Sequence, residues 1–114
     1  MRTEEIFGST DSIDVISQRG DIIELTLICN GYVEGSDENC QALLKKTAHY
    51  ISWTESGEFR RLYDGEYRVI TVTFTEKPDE RIISLLYGCR REALDAGVLL
   101  RATISGLPLI FAEL

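Results

Sequence analysis

The sequence predicts an α+β fold in which an antiparallel sheet carries two helices on one face. Three observations predict it. Ile22 to Cys29 and Tyr67 to Thr75 alternate apolar and polar residues with the period of a strand. Two other segments, 37 to 54 and 78 to 97, repeat apolar residues at steps of three and four, as a half-buried helix does. A length of 114 residues, with 44% hydrophobic and 27% charged residues and two prolines, is the profile of one compact domain spanning 1-114. A chain of this size buries a core without help from disulfides or a structural metal.

Residues 1 to 11 show no period and read as a loose leader, with Ile6 and Phe7 able to tuck against the core. A short strand follows over 12 to 17, where Ile13 and Val15 alternate with Asp14 and Ile16. Gln18-Arg19-Gly20-Asp21 holds the glycine of a tight turn, so a hairpin leads into the strand 22 to 29, whose Ile23, Leu25, Leu27 and Cys29 face the core. Asn30-Gly31 and Glu34-Gly35-Ser36 form a loop. Ser36 or Asp37 then caps a helix with acid in its first turn, Cys40, Leu43, Leu44, Thr47 and Ile51 on its inward stripe, and Gly57 at its stop.

Glu58 to Tyr63 and Tyr67 to Thr75 flank Asp64-Gly65, a strong two-residue hairpin signal. Pro78-Asp79-Glu80 opens the second helix, Gly97 closes it, and Ile82, Leu85, Leu86, Cys89, Ala93 and Ala96 make its buried stripe. Val98 to Ile104 is the last clear strand. Gly106-Leu107-Pro108 breaks its pattern, after which Leu109-Ile110-Phe111 is either a short edge strand or a packed tail.

The order β-β-α-β-β-α-β contains the split β-α-β-β-α-β unit, which makes the expected fold a ferredoxin-like variant. That arrangement places the first strand of the unit at the centre, where the extra hairpin strand competes with strand 98 to 104 for one edge. Either strand 12 to 17 displaces strand 98 to 104, or its hairpin folds away from the sheet.

Composition narrows the function. Twelve Lys and Arg against nineteen Asp and Glu give a net charge of -7, which opposes binding to a phosphate backbone, so nucleic acid is not an expected partner. No apolar run reaches the roughly 18 residues of a membrane span, and Met1-Arg2-Thr3-Glu4-Glu5 lacks the order of a secretory signal, so a cytoplasmic location is expected. Cys29, Cys40 and Cys89 form an odd set with no C-x-x-C pair, which favours small buried thiols over disulfides or a zinc site. The chain has neither glycine-rich phosphate loops nor a Gly-x-Ser-x-Gly elbow nor EF-hand spacing. No catalytic residue, metal ligand or cofactor is assigned, and an enzyme is the less favoured reading.

His49 is the only histidine, and on the first helix it lies opposite Cys40 and Leu44, on the outward face. Trp53 lies one turn further on the same face, beside Lys46 and Ala42. Lys46, His49 and Trp53 together make a candidate interface, because an exposed tryptophan beside polar neighbours is enriched in binding surfaces. The other reading of Trp53, with its ring folded over the helix end onto segment 58 to 63, stands beside it. The sheet face away from the helices mixes Glu24, Thr26, Thr71, Thr73, Arg101 and Thr103 with Ile22, Ile28, Val69 and Leu99, a composition found on half-solvated faces and in dimer interfaces.

The run Leu43-Leu44-Lys45-Lys46-Thr47-Ala48-His49-Tyr50-Ile51, then Glu55-Ser56-Gly57-Glu58, the 67 to 75 strand and a helix ending Ala96-Gly97-Val98 resemble a family of small uncharacterised bacterial proteins of the domain-of-unknown-function kind. The likeness spans residues 12 to 104. It implies a bacterial cytoplasmic protein and transfers no catalytic residue. The functional expectation is a non-enzymatic protein-binding or self-associating module, a homodimer or a partner of another protein, with an acidic immunity-type protein as one version. The competing expectation is a small-ligand regulatory domain, or an enzyme with its site at a dimer interface.

Overall fold

The computed structural model describes residues 2 to 109. Its elements are α1 (Thr3–Phe7), β1 (Val15–Arg19), β2 (Ile22–Cys29), α2 (Asp37–Thr54), α3 (Gly57–Leu62), β3 (Tyr67–Phe74), α4 (Glu80–Asp95), β4 (Val98–Ile104) and β5 (Leu107–Pro108). The α+β class holds, but the sheet is mixed rather than antiparallel. Its strands lie in the sequential order β1-β2-β3-β4-β5. β2, β3 and β4 are parallel neighbours, with β1 and β5 antiparallel at the two edges. β1 takes the edge of β2 that the ferredoxin-like order gives to β4, so of the two expected outcomes it is strand 12 to 17 that displaces strand 98 to 104, and β4 lies beside β3 instead.

The reason lies in segment 58 to 63, which is helix α3 and not a strand. Ser56 caps it, accepting from the Phe59 amide at 3.1 Å, and Phe59 and Tyr63 sit one helical turn apart with ring centroids 5.4 Å apart. Asp64-Gly65 therefore has no strand before it to turn back. Gly65 instead permits a close approach, since a Cβ there would come 2.7 Å from Ile23 Cγ1 and 2.8 Å from the Asp21 carbonyl oxygen. The Tyr67 amide then donates to that same carbonyl at 2.8 Å, which starts β3 beside β2 in parallel register.

The competition for β2 is resolved by direction: β1 takes one edge through a hairpin and β3 takes the other through a helical crossover. The hairpin is tighter and later than the 12 to 17 pattern suggests, with Arg19 opposite Ile22 across Gly20 and Asp21, and with Gly20 at φ 56. The strand starts only at Val15 because the Asp14 carboxylate, not a backbone carbonyl, accepts from the Ile28 amide at 2.9 Å.

Both crossovers step in one direction along the sheet, and right-handed connections then put α2 and α4 on the same face. That face holds the core: Ile23, Leu25, Leu27 and Cys29 of β2, Ile70, Val72 and Phe74 of β3, and Val98, Leu100 and Ala102 of β4 are all buried. Cys40, Leu43, Thr47 and Ile51 of α2 and Ile82, Leu86, Cys89 and Ala93 of α4 close over them. Leu44 does not, being 42% exposed. Helix α2 instead buries a second stripe of Ala42, Lys46 and Tyr50 against the N-terminal segment and the β1-β2 hairpin. The N-terminal segment is no loose leader: α1 buries Ile6 and Phe7, and Thr3 bonds Asn39 of α2 at 2.7 Å. Gly97 closes α4 at φ 77, as the sequence predicts. Leu109 continues past β5 to donate to the Ala102 carbonyl at 2.9 Å, while Ile110 and Phe111 lie outside the described residues.

Candidate functional site

Side chains alternate across a strand, so the core residues of β2, β3 and β4 leave their neighbours on the other face. That face is formed by Val15, Ser17 and Arg19 of β1, Ile22, Glu24, Thr26 and Ile28 of β2, Tyr67, Val69, Thr71 and Thr73 of β3, and Leu99, Arg101 and Thr103 of β4. No described helix covers it. Parallel strands are ordinarily buried on both faces, so an open face on a parallel trio is unusual. Ile22, Tyr67 and Leu99 are 50%, 59% and 46% exposed there, and Val15 and Ile28 are exposed as well.

A polar cluster crosses the middle of this surface. Thr71 donates to Glu24 Oε2 at 2.6 Å, Arg101 Nε donates to the Thr71 hydroxyl at 2.9 Å, and the Arg101 guanidinium reaches the same Glu24 oxygen at 2.5 Å. Three strands are tied by three side chains. The Thr71 hydrogen bond first, and Arg101 second, hold the Glu24 carboxyl below its ordinary value, so it is the charged form that the cluster binds. Around the cluster Ser17, Arg19, Ile22, Val69 and Leu99 line a shallow depression of about 420 Å³. Val69 and Leu99 continue into a second depression of about 350 Å³, beside Tyr67, Leu94 and Gly97.

The sequence-predicted interface on α2 is not assembled as one exposed face. Lys46 is fully buried, donates to the Phe7 carbonyl and pairs with Asp14 at 2.7 Å. Tyr50, one turn on, accepts from the Asp14 amide at 2.9 Å and donates to the Thr26 carbonyl at 3.2 Å. Trp53 is partly buried, with its ring edge-on to Phe59 at 5.1 Å and to Tyr63 at 6.2 Å. Of the two readings of Trp53, the ring folded over the helix end is the one found, although the element beneath it is α3. His49 lies partly exposed between these buried neighbours.

The three cysteines are free and buried, and burial pushes the thiols of Cys29 and Cys89 up to about 12 and about 11. Among the described residues no group of three or more His, Cys, Asp or Glu stands together as a metal site. None of their helices is long and apolar enough to cross a membrane.

Sequence reasoning named most residues of the open face but missed the Glu24-Thr71-Arg101 cluster, because only the parallel register brings these three together. It also missed the Asp14-Lys46-Tyr50 network. The available signal was Ala42 and Tyr50, each one turn from Lys46, which marks that stripe as inward. Comparisons with protein-family models, with curated proteins and with solved structures find no match.

Proposed function

We propose that this chain is a non-enzymatic protein-binding or self-associating module, and that its contact surface is the open sheet face rather than the outer face of α2. The observation that carries the reading is a parallel trio of strands whose uncovered face presents Ile22, Tyr67, Val69 and Leu99 around a closed ion-pair cluster. Large apolar residues gathered on one face mark a contact surface, whereas scattered ones do not. A small-ligand site is the weaker reading, since Arg101 and Glu24 bind each other in a shallow depression and leave one guanidinium, Arg19, with no hydrogen bond or ion pair among the described residues.

The test compares two variants by native size in a gentle extract of producing cells. Leu99→Glu is expected to reduce the apparent size to that of the isolated chain, while Trp53→Ala leaves the size unchanged and lowers the melting temperature. Loss of association in Trp53→Ala alone would move the contact surface back to α2.

A further inference from the structure

The N-terminal segment is fastened to the rest of the chain at separate points, and we infer that residues 2 to 14 form a strap that opens as a unit while the sheet and α4 stay folded, with Lys46 as its latch. The Lys46 side chain is 0% exposed, and both of its partners come from the strap: the Phe7 carbonyl at the end of α1 and the Asp14 carboxylate just before β1. The other fastenings are the Thr3 hydroxyl to Asn39, the Asp14 amide to Tyr50, the Ile28 amide to the Asp14 carboxylate and the Asn30 amide to the Ile6 carbonyl. Ile6 and Phe7 are buried and Ile13 is partly buried. Between these points the side-chain hydrogen bonds of Ser9, Asp11 and Ser12 stay within the segment, among the described residues. A depression of about 400 Å³ lies between α1 and the end of β2, lined by Glu5, Phe7, Asp14, Ile28 and Asn30, so the strap bridges this ground without filling it.

Two effects make the strap easier to open than the core. The Lys46 ammonium is desolvated only while the strap covers it, and water replaces Phe7 and Asp14 when the strap leaves, so hydration offsets part of the cost of opening. Helix α1 has five residues, too few to persist once released, so the freed segment gains the entropy of an unfolded chain. Opening the sheet would instead expose the buried rows of β2, β3 and β4 and the stripe of α4 together. Segments held by few apolar anchors open below the free energy of global unfolding. The open strap bares Asn39, Lys46 and Tyr50, a carboxamide, an ammonium and a phenol at helical spacing along one stripe of α2 that the closed chain hides.

The experiment measures two openings of the same purified chain. Acylation of the Lys46 amine by a dilute N-hydroxysuccinimide ester of acetic acid, read by mass spectrometry, reports the strap, with exposed Lys45 and Lys77 as references. Hydrogen exchange at the amide of Val72, buried in the central strand β3, reports the core. In the wild type Lys46 is expected to react more slowly than Lys45 and Lys77, yet through an opening far more frequent than the one that exchanges Val72. Ile6→Ala, which removes a strap anchor, is expected to accelerate Lys46 acylation by roughly 30-fold or more. Leu86→Ala, in α4, is expected to accelerate Val72 exchange by a similar factor while Lys46 keeps its rate within about threefold, because the open strap still contains a folded α4. Urea below the unfolding transition makes the same separation in the unmodified sequence if either variant does not fold, accelerating Val72 steeply and Lys46 weakly.

Equal openings for Lys46 and Val72, rising together in Leu86→Ala or in urea, would show that the amine is reached only when the whole chain unfolds, and would overturn the inference. So would Lys46 reacting as fast as Lys45, which would mean that nothing covers it, or a folded Ile6→Ala variant whose Lys46 rate is unchanged, which would mean that the cover is not the N-terminal segment.

Discussion

Removing Asp14 is expected to destabilise the protein more than removing Lys46, although the two form one ion pair. The asymmetry follows from burial: the Lys46 side chain is 0% exposed and that of Asp14 is 21% exposed. Asp14→Ala leaves an ammonium in the interior with the Phe7 carbonyl as its remaining partner, and an uncompensated buried charge costs about 3 to 5 kcal/mol. The Ile28 amide that also loses an acceptor is exposed and can turn to water. Lys46→Met leaves a carboxylate that still accepts from Ile28 and reaches solvent, so the expected loss is about 1 to 2 kcal/mol, mostly the Phe7 carbonyl without its donor. In the double variant neither charge remains, and the loss should fall back to about that of Lys46→Met alone. The pair would then show a coupling about equal to the Asp14→Ala loss itself, about 3 to 5 kcal/mol. Urea unfolding followed by circular dichroism measures all three variants, and the Asp14→Ala loss is a large part of the roughly 5 to 15 kcal/mol that holds a domain folded. Equal losses for the two single variants, or a double variant as unstable as Asp14→Ala, would show that Lys46 does not depend on Asp14 as its counter-charge.

Three further outcomes are expected. Leu43→Ala should cost about 2 to 5 kcal/mol and the neighbouring Leu44→Ala less than about 1 kcal/mol, read from denaturant midpoints, because only Leu43 fills the core. Alkaline titration should destabilise the fold. The Cys29 and Cys89 thiols and the Tyr50 hydroxyl are all raised by burial, so their stabilisation is complete below their unfolded values. It should fall progressively from the ordinary thiol value of 9.0 toward the folded values of about 12 and about 11, as the unfolded chain ionises first. Melting temperature against pH measures this, and native thiols should stay unreactive near neutral pH while all three react on unfolding. At the acid end Glu24 is depressed, so its contribution is present above the ordinary glutamate value of 4.5 and is lost as pH falls through the lower folded value. Glu24→Gln should flatten that part of the acid limb of the stability profile.

How much was legible in the sequence depends on whether the deciding signal was local. Strands 22 to 29 and 98 to 104 emerge at their expected limits, and α4 buries most of its expected stripe, because period, cap and stop all lie within each segment. Segment 58 to 63 carried two local signals in conflict: the Asp64-Gly65 turn and the Ser56 cap. Which one prevails sets the direction of β3 relative to β2, so a single misread element changed an antiparallel sheet into a mixed one. Lys46 shows the same limit at one residue. A lysine on a helix reads as solvated, and what buries it is a carboxylate 32 positions earlier together with the Phe7 carbonyl, neither visible in the helix's own period. The open face was legible in composition and not in meaning. Its mixture of threonines and aliphatics is ordinary for an antiparallel sheet with one face in water, and becomes unusual once the strands are parallel.

The labelling rate of Tyr67 against that of Tyr32 tests the central claim most directly. Tyr67 is 59% exposed on the open face and Tyr32 is 45% exposed in the loop after β2, so both rings label readily in the dilute isolated chain. As concentration is raised through the association range, hydroxyl-radical oxidation of Tyr67 is expected to slow severalfold while Tyr32 keeps its rate. Tyr67 and Tyr32 remaining in constant ratio, with association under way by light scattering, would place the contact elsewhere and contradict the assignment of the open face.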